Sequence, residues 1–334
     1  MYGPVASIGS NPFLTGDFDV VINYILVKNG SIAENEAYLA ALLAFCTAHR
    51  VSRLVHISSV SVYKSSCSLI CESAEVELDP STKGSYGSVK VACDAYLEAH
   101  APQGLELVFV RPGFILGEGL ADPIVGMAFR TPWNRLIALG SADNCVPVIS
   151  RRLVNRSLAA ILSIPVEGCR ATFLLVHSDS PTRREYLRQL CTGSGFGTGV
   201  IALPVPLWRI MGLGGWVVAK LVGMKMNPNT IISAACRRQR FDSSQTERRT
   251  GVALAFDWKA ELTSSLEAQV PNFSSPAVPA PAKPGFGSVA YIGYGRIVQS
   301  THRSALRKLG FEGRVEAFDL VASEAKDGQK VMSV

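Results

Sequence analysis

The feature that most constrains the fold is the stretch 53–119, in which two strand patterns enclose one helical pattern. The run RLVHIS at 53–58 is apolar and rich in β-branched residues, which is typical of a buried parallel strand, and a second such run covers 105–110. Between them, Tyr86 and Lys90 begin a segment with helical apolar spacing, so we expect both side chains on one helix face. The pattern predicts an α/β fold with parallel strands.

Three polar residue types are expected at the carboxyl edge of this sheet. Ser59 follows the first strand, and Tyr86 and Lys90 begin the helix. An enzyme that takes a hydride from a carbinol carbon needs a general base for the hydroxyl proton. Free tyrosine, with a pKa of about 10, is a poor base at neutral pH, but an ammonium group one turn away favours the phenolate. We interpret Tyr86 as the base, Lys90 as that ammonium, and Ser59 as the hydrogen-bond partner of the substrate oxygen.

The order of the motifs resembles the extended short-chain dehydrogenase/reductase family, in its branch of NAD-dependent epimerases and dehydratases. The segments that carry the resemblance are HISSVSVY, YGSVK and VRPGFILGEG, and it covers roughly residues 18–270. It implies a Rossmann-like parallel sheet with a small substrate lobe, NAD or NADP as cofactor, and a small-molecule substrate, mostly a nucleotide sugar. Tyr86 and Lys90 match the YxxxK pair of that family, and Ser59 stands four residues before Tyr63, as the active serine does.

The resemblance also implies roles for residues outside this pair. Pro112 and Gly113 match the turn beside the nicotinamide. Asn35 is either the water-organising asparagine of the family or a cap at the start of a helix over 34–48; the sequence leaves both open. In relatives the helices that carry the counterparts of Asn35 and Tyr86 commonly pair, which implies a homodimer.

The amino-terminal part departs from the family. Relatives begin with a strand and a glycine-rich turn, TGxxGxxG, whose amides hold the cofactor pyrophosphate. Nothing before Asp17 provides this pattern, and the run from Phe18 is already a buried strand. We therefore expect the sheet of residues 1–270 to lack its first strands and its main contact with the dinucleotide.

A second dinucleotide-binding pattern follows a Pro/Ala-rich linker at 271–287. Residues 288–334 predict a strand, a turn at Gly293 and Gly295, a helix, and a strand ending in Asp319. Such a turn brings backbone amides to phosphate, and the later acid takes the adenosine ribose hydroxyls. The unit resembles the first βαβ of the Gfo/Idh/MocA oxidoreductases, and Asp319 favours NAD if this unit is the working one.

Two accounts explain both ends of the chain. In the first, which we prefer at this stage, an epimerase-like domain missing its start is joined to an oxidoreductase domain missing its end. In the second, the unit at 288–334 folds back and supplies, in permuted order, the strands and glycine turn that the front lacks.

The other candidate residues have ordinary structural explanations. The polar insert 64–84 carries Cys67 and Cys71 and is predicted to be a loop near the site. His177, near the end of a strand, is interpreted as a structural group.

The apolar run 200–224 is interrupted by proline, glycine and two cations, so an amphipathic helix pair is preferred over a membrane span, with a membrane-surface contact as a further alternative. Three arginines are expected either to contact a substrate diphosphate or to lie in solvent: Arg237, Arg238 and Arg240.

Composition excludes several classes of protein. The net charge of +6 is scattered, without a dense basic run, so nucleic-acid binding is not predicted. The eight cysteines form no CxxC pair and no metal set, which favours reduced thiols in a cytoplasmic protein without a metal site. No signal peptide or transmembrane segment is predicted.

These observations predict an NAD(P)-binding domain with substrate lobe at 1–270, the lobe lying mainly at 114–150 and 178–250. The function predicted is that of an NAD(P)-dependent epimerase, dehydratase or reductase that acts on a nucleotide sugar. The alternatives are an oxidoreductase like 3β-hydroxysteroid dehydrogenase acting on an apolar alcohol, and a non-catalytic fragment of a longer fusion.

Overall fold

The structure is a computed structural model that describes residues 18–27, 31–117, 123–194, 197–221, 228–267, 288–292, 314–319 and 332–333. Its helices are α1 (Ile32–Ala48), α2 (Ser85–His100), α3 (Arg151–Ser163), α4 (Arg183–Ser194), α5 (Val205–Leu221), α6 (Pro228–Cys236), α7 (Ser244–Thr250) and α8 (Trp258–Glu267). Its strands are β1 (Val20–Asn23), β2 (Arg53–Ile57), β3 (Leu69–Ile70), β4 (Glu106–Pro112), β5 (Phe114–Leu116), β6 (Ala128–Arg130), β7 (Arg135–Ala138), β8 (Val148–Ser150), β9 (Arg170–Leu175), β10 (Gly199–Ala202), β11 (Arg240–Phe241), β12 (Ser288–Ile292), β13 (Arg314–Asp319) and β14 (Met332–Ser333).

A parallel sheet organises the fold. Seven of the described strands form it, in the order β14-β13-β12-β1-β2-β4-β9, and every neighbouring pair is parallel. Successive residues of its inner strands face opposite sides, as the two-residue period of a strand requires. Val20 packs with α3 on one face, whereas Val21 packs with α1 and α2 on the other. Apolar residues on both faces explain why these strands read as continuous hydrophobic runs.

The carboxyl-terminal strands complete this sheet. β12 pairs with β1 in the register Val20↔Val289 to Asn23↔Ile292, and β13 and β14 continue outward from it. The sheet of the front domain is therefore not left without its first strands, and the strand order agrees with the permuted account rather than with two separate partial domains. The physical reason for this pairing is that β1 is fully buried. Without β12 beside it, backbone N–H and C=O groups of β1 would have no hydrogen-bond partners. The linker 271–287 lies outside the described residues.

The strand order reverses direction once. From β1 the chain adds β2, β4 and β9 on one side, whereas β12 is followed by β13 and β14 on the other. The topological switch point thus falls between β1 and β12. In open parallel sheets, ligands bind outside the carboxyl ends of the strands at such a point.

A smaller lobe lies after β4. It contains the three-stranded sheet β10-β7-β6 and helix α4, which share a core with α8. Residues 200–224 were predicted to form a helix pair, but the structure has the end of β10 and one helix there, α5, whose packing partner α6 lies beyond this run. Within the part of the chain that the structure describes, no helix has the length and apolar character needed to cross a membrane.

Candidate active site

Ser59 lies at the carboxyl end of β2, where the strand turns into a short 3₁₀ helix. Hydrogen bonding extends the sheet to Ser58, whose backbone N–H donates to the Val110 carbonyl at 2.8 Å. Ser59 itself is extended, and its hydroxyl accepts from the Ser61 N–H at 3.2 Å. This local cap fixes a buried hydroxyl at the sheet edge.

Tyr86 and Lys90 occupy the first turns of α2, one turn apart. The Tyr86 side chain is 53% exposed, whereas Lys90 is only 4% exposed. The Lys90 ammonium donates to the Ile57 carbonyl at 2.8 Å, which ties the helix to the end of β2. The Ser59 side chain lies close enough to the phenol of Tyr86 to lower the pKa of that phenol. The structure therefore brings the three predicted residues together.

Burial controls the proton affinities of this group. Desolvation raises the pKa of Tyr86 above its ordinary value, the nearby Ser59 side chain lowers it, and the Asp94 carboxylate raises it. The net direction is opposite to the lowering expected from Lys90. Desolvation also lowers the pKa of Lys90, while Asp94 acts in the other direction. Tyr86 is thus held as a protonated phenol, a proton donor, in this structure.

A buried charge cluster beneath Lys90 was not predicted from the sequence. Its centre is Asp94, one helical turn beyond Lys90. Asp94 Oδ2 accepts from the Ser58 hydroxyl at 2.9 Å and from the Arg111 guanidinium at 3.1 Å. Both charged side chains are almost fully buried. The i, i+4 spacing of Lys90 and Asp94 was the one signal in the sequence that pointed to this cluster.

The cluster continues through His56 into the middle of the sheet. The amide nitrogen of Asn23 lies 3.0 Å from His56 Nδ1, so Nδ1 accepts and the proton of a neutral ring is on Nε2. His56 Nε2 faces Asp94 Oδ1 at 3.7 Å. Desolvation, with Lys90 and Arg111, lowers the pKa of His56 well below its ordinary value. The ring is therefore neutral at physiological pH.

Hydrogen bonds hold the Asn35 side chain at the start of α1, and its role as the water-organising asparagine stays a prediction. Its Oδ1 accepts from the Val27 N–H at 2.9 Å, and its Nδ2 donates to the Ser31 carbonyl at 3.0 Å. The cap of α1 is Ser31, which forms a capping box with Glu34. Asn35 is therefore not the cap. Its buried side chain links α1 to the loop that precedes the helix.

Pro112 and Gly113 lie at the end of β4, as predicted. Gly113 donates its N–H to the Leu175 carbonyl at 2.9 Å. A β-carbon on Gly113 would lie 2.1 Å from the carbonyl oxygen of Pro147, so only glycine fits there. Asp319 is the last residue of β13, whereas Gly293 and Gly295 lie outside the described residues.

The insert 64–84 docks on the closing segment of the chain. Strand β3 pairs with β11, and Glu72 accepts from the Thr246 N–H at 2.8 Å. Cys67 and Cys71 are free thiols, and the described residues contain no group of His, Cys, Asp and Glu that could hold a metal ion. The three arginines near β11 are exposed: Arg237, Arg238 and Arg240.

His177 lies in a separate region. Its ring packs edge-on against Phe256 at 4.8 Å, and Nδ1 lies 3.3 Å from the Leu254 carbonyl. It lines a cavity of about 710 Å³ together with Trp258 and Lys259, and none of the residues that line this cavity is Ser59, Tyr86 or Lys90. The contacts agree with the structural role expected for this histidine.

Comparison with protein families supports the predicted resemblance for the front of the chain. Residues 20–138 match the model of the NAD dependent epimerase/dehydratase family. This range contains Asn35, Ser59, Tyr86, Lys90 and Gly113. None of the curated proteins compared with the chain matches it in sequence. The comparisons do not bear on the Gfo/Idh/MocA resemblance of residues 288–334, which stays a prediction.

Solved structures are similar in fold. The crystal structure titled gox2253 has a TM-score of 0.63 and 13% identity, covering 79% of this chain and 82% of that one. TunA, an NAD dependent NDP-hexosamine 5,6-dehydratase of tunicamycin biosynthesis, has a TM-score of 0.55 and 17% identity over 79% and 80% of the two chains. A UDP-galactose 4-epimerase has a TM-score of 0.53 and 13% identity over 80% and 82%. The predicted α/β, Rossmann-like fold is confirmed.

Proposed function

We propose that the chain is an NAD(P)-dependent enzyme of the epimerase/dehydratase kind that acts on a carbinol carbon of a nucleotide sugar. The observation that carries the proposal is the placement of Ser59 beside Tyr86 at the carboxyl edge of the sheet, with Lys90 one helical turn away and bonded to the end of β2. The family match over 20–138 supports the class of reaction. Two similar folds, a UDP-galactose 4-epimerase and an NDP-hexosamine dehydratase, support the nucleotide-sugar class.

The residues present suit a nicotinamide dinucleotide. Lys90 offers a buried ammonium beside the end of β2, and Pro112 and Gly113 shape the end of the next strand. Gly293 follows β12 at the switch point, and Asp319 ends β13. In our proposal Gly293 and Gly295 hold the pyrophosphate and Asp319 the adenosine ribose, while Lys90, Pro112 and Gly113 face the nicotinamide end.

The chain's own part in the reaction is proton transfer and positioning. When bound, the cofactor supplies the acceptor and donor of hydride. The hydroxyl of Ser59 donates a hydrogen bond to the substrate oxygen, and the Tyr86 oxygen takes the hydroxyl proton when the carbinol is oxidised and returns it on reduction. Lys90 adds positive charge beneath the phenol, which favours the phenolate in the step where Tyr86 acts as base.

The first experiment is a titration of the full chain with NAD(H) and NADP(H), followed by nicotinamide fluorescence. The double variant Gly293→Val/Gly295→Val is expected to lose binding, because side chains there block the approach of backbone amides to phosphate. Gly214→Val is the matched control, since no atom lies within 4 Å of the position of its β-carbon. Circular dichroism of all three proteins separates lost binding from lost folding. Absence of binding to the wild-type chain would overturn the proposal.

A second candidate is an oxidoreductase that acts on an apolar alcohol, such as a sterol. It uses the same three residues, and the exposed apolar face of α5 in the lobe favours it. Turnover assays with nucleotide sugars and with sterols distinguish the two. The Tyr86→Phe variant addresses the third hypothesis, a non-catalytic fragment: loss of turnover with cofactor binding retained supports catalysis, whereas unchanged turnover excludes Tyr86 as the base.

A further inference from the structure

Helix α5 presents apolar side chains to solvent instead of to the core. Trp208 lies on the side of α5 that is buried. On the opposite side, Ile210 is 67% exposed and Leu221 is 80% exposed. Successive residues of a helix turn by about 100°, which places five exposed apolar residues on one face: Leu207, Ile210, Met211, Val217 and Leu221. We refer to these five residues as the α5 face.

Aromatic residues of the neighbouring strands extend this surface. Phe129, at the centre of β6, is exposed and its ring lies 6.4 Å from that of Trp208 on α5. Trp133, in the turn between β6 and β7, is 79% exposed. Exposed tryptophan is costly in water, but its amphipathic ring suits the boundary between lipid headgroups and acyl chains.

The segment of the chain that carries the α5 face has charges of one sign only. Residues 186–241 contain seven lysines and arginines and no aspartate or glutamate, although the chain has 27 acidic residues in total. Arg209 and Lys220 are exposed and lie along one edge of the α5 face, by the same helical spacing. Arg130, next to Phe129, is also exposed.

We propose that the α5 face, with Phe129 and Trp133, docks the protein on the surface of an anionic lipid bilayer. The combination of an exposed apolar helix face, aromatic anchors and a cationic edge is what a helix in the plane of the interface requires. The absence of acidic residues from segment 186–241 argues for a negatively charged partner, because the charged side chains of this segment all attract it. The contact is peripheral, since α5 is interrupted by glycine and carries two cations.

The test is flotation of the full chain with vesicles of phosphatidylcholine alone and vesicles of equimolar phosphatidylcholine and phosphatidylserine. The protein is expected to float with the anionic vesicles and to be released by high salt, because the cationic contribution is screened. Ile210→Gln/Leu221→Gln is expected to lower the partition coefficient by roughly a hundredfold, since two large apolar side chains no longer leave water. The matched control is Leu78→Gln, an equally exposed leucine in the insert 64–84.

Each other result counts against the proposal. Failure of the wild type to float with anionic vesicles overturns it. Equal flotation with neutral vesicles overturns the requirement for negative lipid. Analytical ultracentrifugation without lipid tests the competing occupant, a second copy of the chain: a dimer that Ile210→Gln/Leu221→Gln converts to monomer would assign the α5 face to self-association instead. Circular dichroism of the variants shows that they remain folded, and cofactor titration is expected to be unchanged.

Discussion

Asp94 Oδ2 lies 3.1 Å from the guanidinium of Arg111, and water reaches almost none of either side chain. Removing one partner of a buried pair leaves the other charge uncompensated, which costs more than the pair itself contributes. We expect Asp94→Asn to lower the free energy of unfolding by about 3–5 kcal/mol. Urea denaturation followed by circular dichroism measures the change.

The control for this variant is Asp143→Asn. Asp143 lies 3.4 Å from Arg184 in an exposed pair, and exposed pairs contribute about 0–1 kcal/mol. If the two aspartate variants lost the same small amount of stability, the Asp94–Arg111 pair would not be a significant part of the core.

Ser59→Ala is expected to change the pH dependence of turnover as well as its rate. The Ser59 side chain lowers the pKa of Tyr86, so its loss should raise that pKa further. Oxidation of an alcohol needs the phenolate, and its rate rises with pH through the pKa of the base. The rising limb of kcat against pH should therefore move to higher pH in Ser59→Ala. A rate decrease with an unmoved limb would mean that Ser59 contacts only the substrate.

His56 makes the stability of the protein depend on pH. Its folded pKa lies well below the ordinary value of 6.5, so below about pH 6.5 the unfolded chain takes up a proton that the folded chain excludes. Stability is present above this pH and decreases as the pH falls, by up to about 1.4 kcal/mol per pH unit. His56→Gln, which keeps an acceptor for Asn23, should reduce the slope of unfolding free energy between pH 7 and 5.

One neighbour of His56, Asp94, also bears on this measurement. Burial raises the pKa of Asp94, which has the opposite effect on stability because the folded chain then binds the extra proton. That contribution is common to wild type and variant. The control is His100→Gln at an exposed position, for which the wild-type slope is expected to persist. If the unfolding free energy of His56→Gln had the same slope against pH as that of the wild type, the conclusion that the buried ring is neutral would be wrong.

Gly113→Ala should disrupt the end of β4. The added carbon would meet the Pro147 backbone at 2.1 Å, so the chain has to shift, at a cost of about 1–3 kcal/mol or more. Cofactor affinity should fall as well if the proposed contact at Gly113 is correct. In contrast, Gly214→Ala adds a carbon in open space within helix α5 and should stabilise the protein by about 0.5–1 kcal/mol. Thermal unfolding of both variants makes the comparison.

Local patterns predicted the elements that hold the candidate site. The period of the apolar residues predicted a helix over 34–48 and strands around 53–58 and 105–110, close to α1, β2 and β4. Ser59, Tyr86 and Lys90 were predicted together because strand ends and helix starts meet at one edge of a parallel sheet. Their chemical roles remain predictions.

The sequence alone could not predict which residues and strands far apart in the chain come into contact. Asn23, His56 and Arg111 come from three different strands, so the contact of Asn23 with His56, and of His56 and Arg111 with Asp94, depends on strand order rather than on spacing. The desolvation of the Tyr86 phenol, which raises its pKa instead of lowering it as expected, depends on how the surrounding residues pack. The placement of β12 beside β1 likewise could not be decided from a glycine pattern, which is the same in a separate domain and in a permuted one.

The pairing of β1 with β12 also has a consequence for solubility. Val20, Val21 and Ile22 are fully buried, and β12 occupies their open hydrogen-bonding edge. Without residues 288–292, β1 would become a flat, apolar edge strand of the kind that recruits other chains into intermolecular sheets. The carboxyl-terminal segment therefore protects the protein against aggregation, and deletion of residues 271–334 is expected to make the remaining chain aggregate.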